Sequence, residues 1–75
     1  MINKYFKLNK KDIAAVQFIL EGYDNMVRVT TVDSSTAVIQ VAIMEDFASD
    51  IAALLDRLKI DYHLQDVHHP AEIPF

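Results

Sequence analysis

The sequence predicts an α+β fold. The expected architecture is a ferredoxin-like βαββαβ sandwich, with a four-stranded antiparallel sheet of order 4-1-3-2 and two helices on one face. Three observations predict it. Two stretches with the apolar spacing of an amphipathic helix each follow a stretch that alternates with period two. Between them lies a pair of β-branched runs without proline, joined by Asp33-Ser34-Ser35. These elements consume nearly all of the 75 residues. Two right-handed crossovers around one hairpin then fix the strand order.

Residues 4–8 read as the first strand, because Phe6 and Leu8 alternate with Tyr5 and Lys7. Asn9 has the chemistry of an N-cap, with Asp12 three residues on. Helix one is expected over residues 10–21, where Ile13, Val16, Ile19 and Leu20 form one apolar face. Gly22, the sole glycine, suits a left-handed position after that helix, with Tyr23 folding back on Phe18. Residues 26–32 form strand two, with Val27, Val29 and Thr31 on one face and Arg28, Thr30 and Val32 on the other. Residues 37–43 form strand three, with Ile39, Val41 and Ile43 inward. Helix two is expected over residues 46–59 on the stripe Phe47, Ile51, Leu54, Leu55 and Leu58. Its early Asp46 and Asp50 and late Arg57 and Lys59 complement the helix dipole. A final strand is expected over residues 62–67. Residues 1–67 thus make one domain, and 68–75, with two prolines and no periodicity, an extended tail.

Composition bounds what such a chain can be. A domain this short buries only about 60% of its unfolded surface, so it needs a dense core, a staple or a partner. There is no cysteine, which removes disulfides and thiolate metal sites. The 52% hydrophobic share supports a dense core or a partner and argues against disorder. No apolar run is long enough for a signal peptide or a membrane span, so a cytoplasmic protein with no membrane association is expected. The net charge of −4 argues against nucleic acid. Four of the seven cations, Lys4, Lys7, Lys10 and Lys11, precede the first acid, Asp12.

In the predicted order strands two and four are edges. Asp61, His63 and Asp66 discourage further pairing on strand four, whereas strand two carries one charge, Arg28, and high β-propensity. An edge of that kind templates another chain. Val27, Val29 and Thr31 are therefore expected to form an oligomer edge, pairing with a second copy across a two-fold axis.

The segments Asp12-Ile13, Phe18-Ile19-Leu20-Glu21-Gly22-Tyr23-Asp24 and Val29-Thr30-Thr31-Val32-Asp33 resemble a family of short uncharacterised bacterial proteins, catalogued as a domain of unknown function. That resemblance brings no catalytic or binding residue with it. The strand–helix order is more distantly similar to ACT regulatory domains, which bind small molecules at dimer interfaces and pair through edge strands. ACT domains usually carry a glycine between strand one and helix one, and the stretch Leu8-Asn9-Lys10-Lys11-Asp12 has none.

The helix-free sheet face is the first candidate for chemistry. By alternation strand one shows Tyr5 and Lys7 there, strand two Arg28 and Thr30, strand three Val38, Gln40 and Ala42, and strand four His63 and Gln65. Two cations and no carboxylate suit a small anion, a carboxylate or phosphate, with Tyr5, Lys7, Arg28 and Gln40 as the ligand-binding set. The plainer reading of the same residues is a solvated or subunit-covered face. A second candidate, the start of helix one with Lys10 and Lys11, reads more simply as two exposed lysines. His63, His68, His69 and Glu72 contain ligand types for Zn²⁺ or Ni²⁺, but adjacent histidines in a strand point to opposite sides, so no metal and no cofactor is expected. No nucleophile–base arrangement, phosphate-cradling glycine loop or zinc spacing is present. The expectation is a small, self-associating binding or regulatory module rather than an enzyme. The alternative is an adaptor or structural subunit that docks on a larger protein through its sheet face or tail.

Overall fold

The computed structural model describes residues 1–67. Its strands are β1 (Ile2–Lys7), β2 (Val27–Asp33), β3 (Val38–Ile43) and β4 (Gln65–Val67), and its helices α1 (Ile13–Glu21) and α2 (Ala48–Tyr62). They form one antiparallel sheet of order β2-β3-β1-β4, the expected order read from the opposite edge. The fold is α+β and consistent with the ferredoxin-like class. The tail, with His68, His69 and Glu72, lies outside the described residues.

One core joins all the layers. Phe6 from β1, Val27 from β2, and Ile39, Val41 and Ile43 from β3 pack with Val16 and Leu20 of α1 and Ile51, Leu55 and Leu58 of α2. These strand residues share one face by register, with Phe6 opposite Ile39 and Val27 opposite Ile43. Both helices therefore cover the same side of the sheet. The expected helical stripes are the ones buried, with Ile13, Ile19, Phe47 and Leu54 partly buried at their margins.

Each helix is entered in the same way. Asn9 and Met44 are extended, and each leads into a 3₁₀ turn, Lys10–Asp12 and Glu45–Phe47, closed by Asp12 N–H to Asn9 O at 2.9 Å and Phe47 N–H to Met44 O at 3.0 Å. This correspondence reflects the doubled βαβ plan. It also corrects the expected cap, because Asn9 makes no side-chain capping bond. The tight turn already satisfies an orphan N–H through the backbone.

Three further expectations are corrected. Gly22 is not left-handed but has φ −63° and ψ −14°. Its distinction is close approach, since a Cβ there would lie 3.2 Å from the Ile19 carbonyl oxygen. Phe18 remains 79% exposed, so it is not covered by a folded-back Tyr23. Helix α2 runs on to Tyr62, and strand β4 is shorter than expected. No glycine or proline interrupts residues 60–62, and Arg57 Nε donates to Asp61 Oδ2 at 3.2 Å across one helical turn. The helix ends at His63, in the left-handed region at φ 56°. Asp61 and His63 thus leave the strand, and only Asp66 of the three expected edge residues sits on β4.

Among the described residues one carboxyl is held away from its ordinary range, that of Asp33 at the β2–β3 connection. Asp33 Oδ1 accepts from the Ser35 backbone N–H at 3.0 Å and from the Ser35 hydroxyl at 2.7 Å. The Ser35 hydroxyl hydrogen bond holds its carboxyl below the ordinary 3.8, whereas Thr36 Oγ1 is buried without a hydrogen-bond partner among the described residues. A depressed carboxyl stabilises the fold fully above its unfolded value, and that contribution disappears as pH falls through the lower folded value. An NMR titration is expected to show the Asp33 carboxyl titrating below an unstructured Asp. Asp33→Asn is expected to flatten the stability profile only in that acid window.

Candidate functional site

The open face of the sheet is read from the pairing. Lys7 lies opposite Val38, Tyr5 opposite Gln40, Thr30 opposite Gln40 and Arg28 opposite Ala42. Tyr5, Gln40 and Thr30 therefore form one row across three strands, with Val67 of β4 beside Tyr5. Arg28 stands four positions along and two strands across from Lys7. At ordinary strand spacings their Cα atoms are roughly 16 Å apart. The register brings Tyr5, Gln40 and Lys7 together and leaves Arg28 at the far end. It also adds a carboxylate that alternation missed. A bulge between Thr31 and Asp33 sets Asp33 opposite Val38, in the row of Lys7.

Two cavities of about 240 Å³ flank the sheet at opposite ends. The first lies where α1 hands over to β2 and is lined by Leu20, Glu21, Asp24, Val27, Arg28 and Val29. Here Arg28 faces two acids rather than other cations. The second lies where β1 leaves the sheet and β4 enters it, lined by Lys7, Leu8, Asn9, His63 and Gln65. Lys7 and Gln65 are cross-strand partners, so the β1–α1 and α2–β4 connections are held side by side. His63 reaches this cavity from the end of α2, not from strand four as the alternation had it. Lys7, His63 and Gln65 of the expected open face are thus gathered at one end. The signal for this gathering was topological, since strands one and four are neighbours in the predicted order.

The edge of β2 has its own geometry. Met44 N–H donates to Met26 O at 2.9 Å, just beyond the paired residues Val27 and Ile43. That bond makes Val27–Ile43 a non-hydrogen-bonded pair. Alternation then turns the N–H and C=O groups of Arg28 and Thr30 toward β3, and those of Val27, Val29 and Thr31 outward. Val27 N–H accordingly reaches Tyr23 O at 3.0 Å. Among the described residues no backbone bond outside the ladder reaches Val29 or Thr31. The Thr31 side chain is held from the helical side, where Gln17 Nε2 donates to Thr31 Oγ1 at 2.9 Å. The opposite edge differs, because β4 has three residues and Asp66 Oδ2 is tied to Lys59 Nζ at 3.1 Å.

The family model of a domain of unknown function, DUF4911, matches residues 6–61. The chain belongs to the DUF4911 family. The DUF4911 match takes in Lys7, Leu8, Asn9 and all of β2, and it ends before His63 and Gln65. No curated protein and no solved structure matches the chain. Among the described residues no group of three or more His, Asp or Glu could hold a metal ion, and no helix is long and apolar enough to cross a membrane.

Proposed function

We propose that this DUF4911 protein is a small binding or regulatory module that works as a homodimer joined through β2, resembling ACT domains in its strand–helix order. The observation that carries the reading is the outward set of unbonded backbone groups at Val29 and Thr31 on a seven-residue edge strand. A long, sparsely charged edge recruits another strand. A second copy is the partner that offers the same spacing of donors and acceptors by symmetry. The expected ligand is a small anion.

The adaptor alternative assigns docking to the sheet face or the tail; the exposed apolar side chains Phe18 at 79% and Ile60 at 73% lie instead on α1 and α2. Light scattering separates the two. A homodimer is expected to scatter with twice the chain mass, and Val29→Pro is expected to return it to one chain while circular dichroism stays unchanged. Proline at Val29 removes an outward N–H and leaves the β3 ladder whole. Wild-type protein at the mass of one chain removes the homodimer.

A further inference from the structure

The geometry points to a binding site for a phosphate-type oxyanion in the cavity at the β1–β4 end of the sheet, held by Lys7, Asn9, His63 and Gln65. This deepens the binding-module reading and rests on it, but it does not rest on the dimer. Four polar side chains of three chemistries meet at one cavity of about 240 Å³, and none of its lining residues is a carboxylate. In a chain of net charge −4 that is a local reversal of sign.

Among the described residues the ion pairs are those of the amino terminus, Arg57 and Lys59, so Lys7 has no counter-ion among them. Asn9 occupies a capping position, yet its side chain makes no capping bond. His63 is fixed where it stands by a left-handed backbone, a conformation that non-glycine residues adopt at a cost and that clusters at functional sites. Leu8, only 7% exposed, gives the cavity an apolar wall, which strengthens hydrogen bonds made against it.

The shape of the donor set favours phosphate over carboxylate. Arginine grips carboxylate and phosphate alike through two parallel N–H groups, whereas lysine is a common phosphate ligand that acts as a point charge and imposes no planar geometry. Here one ammonium, two carboxamides and one imidazole are contributed by β1, β4 and the two connections between them and the helices. Donors spread over separate segments suit a tetrahedral anion better than a flat one.

The test is a ¹⁵N-resolved titration of the whole chain with inorganic phosphate at constant ionic strength, repeated with acetate. Saturable shifts are expected at the amides of residues 7–9 and 63–65. Lys7→Gln is expected to weaken phosphate binding by about tenfold or more, the range of one charge-assisted hydrogen bond. His63→Asn, which tolerates the left-handed backbone, is expected to weaken it too. Lys4→Gln removes the same charge from a position paired with Val41, on the helix-covered side of the sheet, and is expected to leave binding unchanged. Equal weakening by Lys4→Gln and Lys7→Gln, or acetate binding as tightly as phosphate, overturns the site. Saturable binding by a protein that scatters as one chain leaves the site standing and removes the dimer. A dimer without localised shifts removes the site alone.

Discussion

Phe6→Ala is expected to cost about 3–5 kcal/mol of folding stability, the usual range for a buried phenylalanine. A chain of 75 residues has roughly 4–11 kcal/mol in total, so this one substitution removes a large fraction of it. The reason is position. Phe6 is fully buried on β1, an inner strand, opposite the fully buried Ile39 on β3. Neighbours on both sides are held by ladder hydrogen bonds, so the sheet cannot collapse into the cavity. The Lys59 ammonium also lies 5.5 Å from the Phe6 ring centroid and loses that face. Urea unfolding followed by circular dichroism reads the loss. A midpoint shift equivalent to less than about 1 kcal/mol would place Phe6 outside the core.

The fold was legible because its signals are redundant. Ile39, Val41 and Ile43 alternate on a strand that has a hydrogen-bonded neighbour on each side, and Ile51, Leu55 and Leu58 repeat on a helix that packs against it. Boundaries were less legible where local preference and tertiary context disagree. Ile60 and Tyr62 have strand-like propensity, yet the helix continues through them, supported by the Arg57–Asp61 pair. Its stop is His63, a residue type that enters the left-handed region more readily than most but marks a helix end far less strongly than glycine. Gly22 misled in the opposite sense, lying at ordinary helical φ and marked only by a tight approach to Ile19 O.

The candidate site was legible in part for a similar reason. Alternation assigns a side chain to a face but says nothing about where along the sheet it falls. Register supplies that coordinate. It separates Arg28 from Lys7, although the two share a face, and it inserts Asp33 through a bulge that no pattern in Thr31-Val32-Asp33 announces. The expected edge of Val27, Val29 and Thr31 rested on the edge position of strand two, its sparse charge and its β-propensity, and those three residues share one face by alternation. The same alternation governs backbone direction, so those three residues are also the ones whose N–H and C=O groups point away from β3.

That coincidence yields the sharpest contrast available in the chain. Thr30→Pro is expected to destabilise the fold by about 3 kcal/mol, whereas Val29→Pro one residue earlier is expected to leave its unfolding midpoint nearly unchanged at concentrations where the chain is monomeric. Thr30 and Gln40 are paired, and alternation from Val27–Ile43 makes them a hydrogen-bonded pair. Proline at Thr30 deletes the N–H that serves the Gln40 carbonyl and pushes its ring toward β3. A half-buried acceptor left without its donor costs about 1–3 kcal/mol by itself, before any steric term. Proline at Val29 deletes a group directed away from the sheet. Chemical denaturation of both variants at a few concentrations reads the difference directly. If Val29→Pro proves the more damaging at every concentration, the parity of β2 is reversed. Arg28 and Thr30 would then be the outward pair, and self-association through Val29 and Thr31 would have no donors to use.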